Sequence, residues 1–176
     1  MQVFKTLFLD RDGVINIEKD GSYIFYPDEF HFYEGTLEAL KIAAELFDKI
    51  VIVTNQRGIG RGFMTTDQLR RVHEYMLQEV KKAGGRIDSI YFSPHLHNDH
   101  VERKPNTGMG LMAKQEDPRI DFAHATMIGN NLSDMEFGKR LGMNTIFLHT
   151  TQSPIELPHA LIDEQYDSLY NWAITL

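Results

Sequence analysis

The chain has 176 residues and no cysteine, which excludes disulfide bonds and thiolate metal sites. A formal net charge of -7 without a Lys/Arg cluster argues against a nucleic-acid-binding surface. The length suits one domain over residues 1–176, which we expect to be a monomer. The N-terminus carries no secretory pattern and no apolar run could span a bilayer, so we expect a cytoplasmic protein without a membrane partner.

Five short apolar runs predict β-strands, and helical patterns separate most of them. The predicted strands are Thr6–Leu9, Ile50–Thr54, Ile90–Ser93, Thr126–Gly129 and Thr145–His149. The predicted helices are one capped by Thr36, one from Thr65 or Thr66 to Gly84, one opened by a capping box at Ser133 and stopped at Gly142, and one over about Tyr166–Ile174. Strands that alternate with helices predict an α/β fold, a doubly wound Rossmann-like parallel sheet.

The first strand runs into two carboxylates, Asp10 and Asp12, followed by a glycine. Side chains alternate along a strand, so these two can face the same side where the strand ends. Gly13 then lets the chain turn away. A solvated Asp-x-Asp-Gly turn is the alternative interpretation. Open α/β sheets bind ligands at the carboxyl ends of their strands, which favours a functional site here.

The other predicted strands also end in polar residues. The second ends at Thr54-Asn55, the loop after the third carries Arg103-Lys104, and the fourth leads to Asn130 and, one turn on, Asp134. Right-handed crossovers bring these ends to one edge of the sheet. This edge therefore combines carboxylates, a hydroxyl, amides and cations.

Such a set suits phosphoryl transfer. One carboxylate can attack phosphorus to give an aspartyl-phosphate that water later hydrolyses. A second acid can protonate the leaving alkoxide and afterwards deprotonate the water. Mg²⁺ held by oxygen ligands would shield the nucleophile from the anionic phosphate. Thr54, Asn55 and Lys104 would bind the oxygens on which negative charge is stabilised.

The chain resembles the haloacid dehalogenase (HAD) superfamily of phosphatases over nearly its whole length. The matching segments, in order, are Leu9–Asn16, Val53–Gly62, Arg103–Pro105 and Ile128–Asp134. Within the superfamily, the DRDG-x-IN, TNQ-x-GI-x-RG and RKP motifs resemble the histidinol-phosphatase and heptose-bisphosphate-phosphatase branch. This resemblance implies a HAD-like fold without a large cap domain. It also implies hydrolysis of a small phosphorylated metabolite, heptose 1,7-bisphosphate first and histidinol phosphate as the alternative.

The resemblance also implies residue roles. Asp10 would be the nucleophile, Asp12 the general acid and base, and Lys104 the group that stabilises the transferring phosphoryl. Thr54 and Asn55 would be phosphate ligands. Mg²⁺ would be held by Asp10, by the backbone carbonyl of Asp12 and by the acid of the fourth motif.

The fourth motif departs from the family pattern, because Asn130 stands where an aspartate is usual. Its amide oxygen can still ligate Mg²⁺, but one negative charge is lost. We expect metal affinity to fall on the order of tenfold to a thousandfold, since ligand charge tunes cation binding. Asp134 could compensate, directly or through a water. A site that binds phosphoesters without turnover is the alternative.

A second departure concerns the loop before the third motif, where many branch members bind zinc through three cysteines and a histidine. The cysteines are missing, although His95, His97, Asp99 and His100 remain. Structural zinc sites prefer thiolates, so we expect a polar substrate loop without zinc.

The segment after Asn55 is rich in glycine and arginine. Arg57 and Arg61 could bind a second anionic group of the substrate, as a sugar bisphosphate would require. A flexible loop with solvated arginines is the alternative. Arg103, in the third motif, is a further candidate for substrate binding. A phospho-accepting receiver domain is disfavoured, because Pro94-His95 rather than an acid follows the third strand.

Overall fold

A computed structural model describes residues 3–176. Six strands form one parallel sheet in the order β3-β2-β1-β4-β5-β6. The strands are β1 (Thr6–Leu9), β2 (Lys49–Asn55), β3 (Ser89–Ser93), β4 (Ala125–Gly129), β5 (Asn144–Leu148) and β6 (Glu164–Tyr166). The predicted doubly wound α/β architecture is confirmed, with a sixth strand that the sequence did not indicate.

Residues 3–176 contain six helices, and five of them pack on the two faces of the sheet. The six helices are α1 (Thr36–Leu46), α2 (Arg57–Gly60), α3 (Thr66–Lys82), α4 (Gly108–Glu116), α5 (Leu132–Leu141) and α6 (Leu169–Ala173). Short 3₁₀ turns lie at Pro27–Glu29 and Phe122–His124. No helix within residues 3–176 combines the length and apolar character that crossing a membrane requires.

The side-chain alternation of β1 divides the core into two layers. Leu7 and Leu9 pack in the layer that includes residues of α1, α3 and α6. Phe8 packs in the opposite layer with residues of α4 and α5. All three side chains are fully buried. The strand is therefore enclosed on both faces, as a central parallel strand should be.

Central placement also fixes the end of β1. Leu9 pairs with Ile52 of β2 on one side and with Ile128 of β4 on the other. The next residue continues the ladder, because the Asp10 N–H donates to the Ile128 carbonyl at 3.0 Å. The backbone of Asp10 is therefore held by the sheet itself.

Three predicted helix boundaries are wrong in detail. Gly35, at φ 75°, precedes the first helix, and Thr36 is its first residue rather than its cap. Asn131, not Ser133, caps α5, because the reciprocal bonds join Asn131 and Asp134. The last helix is shorter than predicted, because residues Glu164–Tyr166 add a strand to the sheet edge.

Two helices were not predicted. The turn α2 lies in the segment interpreted as a glycine-rich loop, and α4 contains Gly108 and Gly110. Gly110 lies where an added Cβ would come 2.5 Å from Leu141, so this glycine permits close helix packing. Glycine lowers helix propensity, but tertiary contact outweighs it here.

Candidate active site

The carboxyl edge of the sheet holds a cavity of about 320 Å³. Its lining residues are Asp10, Asp12, Glu18, Thr54, Asn55, Arg57, Arg103, Lys104, Asn131, Ser133 and Asp134. Most of the residues proposed from the sequence for catalysis, substrate or metal therefore line one cavity. The exceptions among the motif residues are Asn130, whose side chain is fully buried, and Arg61, and neither is part of the lining.

Lys104 joins two carboxylates at the floor of this cavity. Its ammonium lies 2.9 Å from Asp10 Oδ1 and 2.7 Å from Asp134 Oδ1, and its side chain is 1% exposed. Burial disfavours the lysine charge, but the two carboxylates outweigh it and raise the pKa of Lys104. Burial raises the pKa of Asp10 to about 7, against the opposing effect of Lys104. The cation thus favours the ionised form that a carboxylate nucleophile needs.

Both oxygens of Asp134 already have partners. Oδ1 accepts from Lys104, and Oδ2 accepts the backbone N–H of Asn131 at 3.1 Å. The geometry accordingly supports an anchoring role toward Lys104, alongside the metal role suggested by the sequence.

Asp12 is held by donors from three places in the chain. Arg11 Nη2 donates to its Oδ1 and Oδ2 at 2.7 and 2.8 Å, and Asn16 Nδ2 donates to Oδ1 at 3.0 Å. Gln56 Nε2 donates to Oδ2 at 2.8 Å and to Thr54 Oγ1 at 2.9 Å. Burial raises the pKa of Asp12, but Arg11 and the two amides outweigh it and lower that pKa.

Asn55 clamps the third motif to the second. Its Nδ2 donates to the Lys104 carbonyl and its Oδ1 accepts the Lys104 N–H, both at 3.1 Å. This reciprocal pair places the lysine side chain beside β1. Because the Asn55 amide is used in this way, part of its contribution is to position Lys104 rather than to contact phosphate.

Asn130 packs directly against the first motif. A Cβ added at Gly13 would come 2.1 Å from Asn130 Nδ2, so only glycine at position 13 leaves room for this side chain. Asn130 Nδ2 donates to Thr151 Oγ1 at 2.9 Å. The Asn130 amide therefore lies against the backbone that follows Asp12, and its Oδ1 accepts from Asn131 Nδ2 at 3.2 Å.

The donors at this position fit Mg²⁺. The Asp10 carboxylate, the Asp12 carbonyl and the Asn130 amide all offer oxygen, the donor that this hard cation takes. Glu18 adds a carboxylate to the same cavity, and its pKa is raised by burial and by Asp12. It also interacts with the Asn130 amide. Sequence reasoning did not single out Glu18.

One wall of the cavity is positively charged. Arg57 and Arg103 line it, and Arg61 donates to the Tyr23 hydroxyl at 3.4 Å nearby. Burial, Arg57 and Arg61 together lower the pKa of Arg103. The three guanidinium groups therefore repel one another, and an anion bound among them would relieve that repulsion.

The loop before the third motif brings together three potential ligands. One nitrogen or oxygen atom from each of His95, His100 and Glu102 lies within 4.8 Å of the others. His97 and Asp99, also considered from the sequence, are exposed and outside this group. Hydrogen bonds already link the group, since the Glu102 N–H donates to His100 Nδ1 at 3.3 Å. The expectation that this loop holds no zinc stays a prediction.

Comparison with known proteins agrees with this geometry. The family model described as polynucleotide kinase 3 phosphatase matches residues 5–143. A D-glycero-α-D-manno-heptose-1,7-bisphosphate 7-phosphatase of Campylobacter jejuni is 40% identical over 144 residues, covering 82% of this chain and 81% of that protein. A D-glycero-β-D-manno-heptose-1,7-bisphosphate 7-phosphatase of Helicobacter pylori is 36% identical over 164 residues, 92% of each chain.

The chain is a HAD-superfamily phosphatase of the heptose-bisphosphatase branch. A crystal structure of the D,D-heptose 1,7-bisphosphate phosphatase of B. bronchiseptica, complexed with magnesium and phosphate, superposes with a TM-score of 0.84. It is 26% identical and covers 97% of both chains. The resemblance inferred from the four motifs is therefore confirmed, as is the HAD-like fold.

Four residues in contact with this candidate site escaped the sequence analysis. Arg11, Glu18, Gln56 and His73 all contact the motif residues or one another. Arg11 and Gln56 lie inside the quoted motifs, so their positions were a usable signal. His73 lies 62 residues from Arg11 in the sequence, and nothing local to it indicates the contact.

Proposed function

We propose that this phosphatase hydrolyses a heptose 1,7-bisphosphate to the heptose monophosphate through an aspartyl-phosphate at Asp10. The contact of Lys104 with both Asp10 and Asp134 carries this proposal, because it places a cation beside a carboxylate at the end of β1. The names of the bacterial relatives support the substrate. Histidinol phosphate remains the alternative substrate.

In the first step an Asp10 oxygen forms a bond to phosphorus as the ester P–O bond breaks. Lys104 stabilises the negative charge on the phosphoryl oxygens. The leaving alkoxide takes a proton from Asp12. Although its neighbours lower the pKa of Asp12, a bound phosphate dianion beside it raises that pKa by like-charge repulsion.

In the second step Asp12, now ionised, removes a proton from water. The water oxygen bonds to phosphorus, the bond from phosphorus to Asp10 breaks, and inorganic phosphate leaves. Thr54, 1% exposed, lies at the cavity wall with its hydroxyl facing Gln56. Mg²⁺, held by Asp10, the Asp12 carbonyl and Asn130, would supply charge neutralisation between nucleophile and phosphate.

The second phosphate of the substrate would bind the positively charged wall formed by Arg57 and Arg103, with Arg61 nearby. A bidentate guanidinium suits a phosphate better than a point charge does. The pKa of Arg103 is lowered by burial and by the other two arginines, which indicates a local excess of positive charge. This excess supports a bisphosphate over a monophosphate.

We also propose that the chain acts as a single-domain cytoplasmic monomer on a small phosphorylated metabolite. The net charge of -7 supports a partner other than nucleic acid. Gel filtration with light scattering tests the monomer.

The decisive experiment measures phosphate release from sugar mono- and bisphosphates, histidinol phosphate and nucleotides, with the wild type and Asp10→Asn. We expect heptose bisphosphate to give the highest kcat/KM and the variant to lose on the order of 10⁴-fold or more. Borohydride trapping followed by peptide mass spectrometry should locate the acyl phosphate at Asp10. A trapped phosphate elsewhere, or a fully active variant, would overturn the mechanism.

A further inference from the structure

Arg11 is a buried cation that the proposed reaction does not use directly. It lies between the two catalytic aspartates in the sequence, yet its side chain is only 1% exposed. Two of its nitrogens, Nε and Nη2, face the Asp12 carboxylate, at 3.2 Å for the first and 2.7 Å for the shortest contact of the second. A buried guanidinium is tolerated when its charge is paired and its N–H groups are bonded. Asp12 provides the opposite charge, but it accepts hydrogen bonds only from Nε and Nη2 and leaves Nη1 unbonded.

His73 of helix α3 accepts a hydrogen bond from Nη1, the remaining nitrogen of Arg11. Its Nε2 lies 3.1 Å from Arg11 Nη1. A guanidinium has only donors, so Nε2 is the acceptor and the ring proton is on Nδ1. Burial and the charge of Arg11 lower the pKa of His73 to about 3, which leaves the ring neutral at physiological pH. The ring is 8% exposed and does not line the cavity.

The orientation of the Asp12 carboxylate depends on this arrangement. Gln56 and Asn16 hold it from the other side, at 2.8 and 3.0 Å. A guanidinium whose three nitrogens all donate hydrogen bonds is held in one orientation. A guanidinium with one nitrogen unbonded can rotate about the bonds of its side chain. Rotation of the Arg11 guanidinium would therefore turn the Asp12 carboxylate that is bonded to it.

We propose that His73 is a positioning residue for the general acid: by fixing Arg11, it aims Asp12 at the leaving-group oxygen. The inference rests on the proposed role of Asp12 as the acid. His73 touches neither substrate nor the reacting atoms. Its effect is transmitted through one hydrogen bond to Arg11.

Leaving-group dependence separates this role from a merely structural one. A sugar phosphate releases an alkoxide, which needs the proton from Asp12. p-Nitrophenyl phosphate releases a stabilised phenolate, which departs without it. His73→Leu should therefore lower kcat/KM for the sugar phosphate, which reports the step that forms the aspartyl-phosphate, by about tenfold to a hundredfold, as expected for a misplaced catalytic group. Its kcat/KM for p-nitrophenyl phosphate should change little. The comparison uses kcat/KM rather than kcat, because hydrolysis of the aspartyl-phosphate needs Asp12 as the base for both substrates.

Two further variants complete the set. His73→Gln keeps an acceptor at the same place and should recover most of the sugar-phosphate rate. Glu74→Gln, on the exposed face of the same helix, should match the wild type for both substrates. If the leucine variant does not fold, His73→Met removes the acceptor with a more flexible side chain. A loss that is equal for both substrates, or no recovery with glutamine, would overturn the inference.

Asp12→Asn is the reference that separates this inference from the proposed function. It should show the same selective loss for the sugar phosphate. If it shows none, the acid role of Asp12 fails. If it does while the His73 variants do not, only the inference about His73 fails.

Discussion

Lys104 bridges two carboxylates of different motifs, at 2.9 Å from Asp10 and 2.7 Å from Asp134. Asp134 also accepts the Asn131 N–H and lies in the first turn of helix α5, which leaves Asp10 as the proposed nucleophile. Lys104 of the third motif is therefore held by Asp134 of the fourth motif and placed beside Asp10 of the first. Each of these residues can be tested by a different substitution.

Asp134→Asn should lower kcat by about tenfold to a hundredfold while Mg²⁺ affinity stays nearly unchanged. The reason is that Lys104 loses one of its two anchors and shifts beside Asp10, and such displacements are costly in rate. Steady-state kinetics and calorimetric Mg²⁺ titration measure the two quantities. A large loss of Mg²⁺ affinity would instead establish Asp134 as a metal ligand, as the sequence analysis suggested.

Asn130→Asp should strengthen Mg²⁺ binding on the order of tenfold to a thousandfold, because it adds a charged oxygen ligand. Direct titration of the protein with Mg²⁺, without substrate, measures this. Asn131→Asp adds the same charge one residue away and serves as the control. An equal gain in both variants would mean that general electrostatics, not ligation by residue 130, is responsible.

Arg57→Met should raise KM for a sugar bisphosphate by about tenfold to a hundredfold, the cost of one charge-assisted hydrogen bond. KM for a sugar monophosphate should change little, because only the second phosphate loses its partner. Arg71→Met, at an exposed position paired with Asp67, is the control. The cationic wall has no role in specificity if both substrates are affected alike.

Asp117→Asn should lower the free energy of unfolding by about 1–3 kcal/mol at pH 7, because it breaks bonds to Arg119 and to Lys49. The hydrogen bond from Arg119 lowers the pKa of Asp117, with Lys49 contributing and burial opposing. Such a carboxyl stabilises the fold above its unfolded pKa of about 3.9 and loses that contribution as pH falls.

The difference between the Asp117 variant and the wild type should therefore shrink below about pH 4 in denaturant titrations. Asp28→Asn, at an exposed position, provides the comparison. A difference that is constant with pH would show that the charge of Asp117 does not matter.

The loop of His95, His100 and Glu102 should carry no structural zinc. We expect substoichiometric zinc in the purified protein and the same melting temperature with and without a strong chelator, because thiolates are absent and the loop is already hydrogen-bonded. Elemental analysis and thermal melts measure both. One tightly held zinc ion per chain, lost in a His100→Ala variant, would contradict this expectation.

The sequence was sufficient for the central strands but not for the sheet edge. Apolar runs such as Thr6–Leu9 are visible because a buried strand needs them. Strand β6, with the sequence Glu-Gln-Tyr, is short and polar, and only its pairing with β5 makes it a strand. Helix α4 was missed because Gly108 and Gly110 lower the helix propensity of its sequence, although packing against Leu141 favours glycine at position 110.

For the site, residues at strand ends were predictable because topology brings such ends together. Asp10 and Thr54 are of this kind, whereas Lys104 lies in the loop after β3 and was found from its motif. Contacts between side chains of distant elements were not predictable. The contact of Arg11 with His73 joins a motif to the middle of a helix, and no periodicity or spacing encodes it.

The hydrogen bond from the Asp10 N–H to Ile128 ties the backbone of the proposed nucleophile to the central strands of the sheet. Because the attacking carboxylate is fixed in this way, the phosphate ester must be positioned next to it by other parts of the protein. Changes of substrate in this fold are then a matter for the surrounding loops, which can lengthen, shorten or exchange their charges without disturbing the bond-breaking centre. We expect such divergence in residues 19–31 and 95–102, which contain neither Lys104 nor the aspartates of the site.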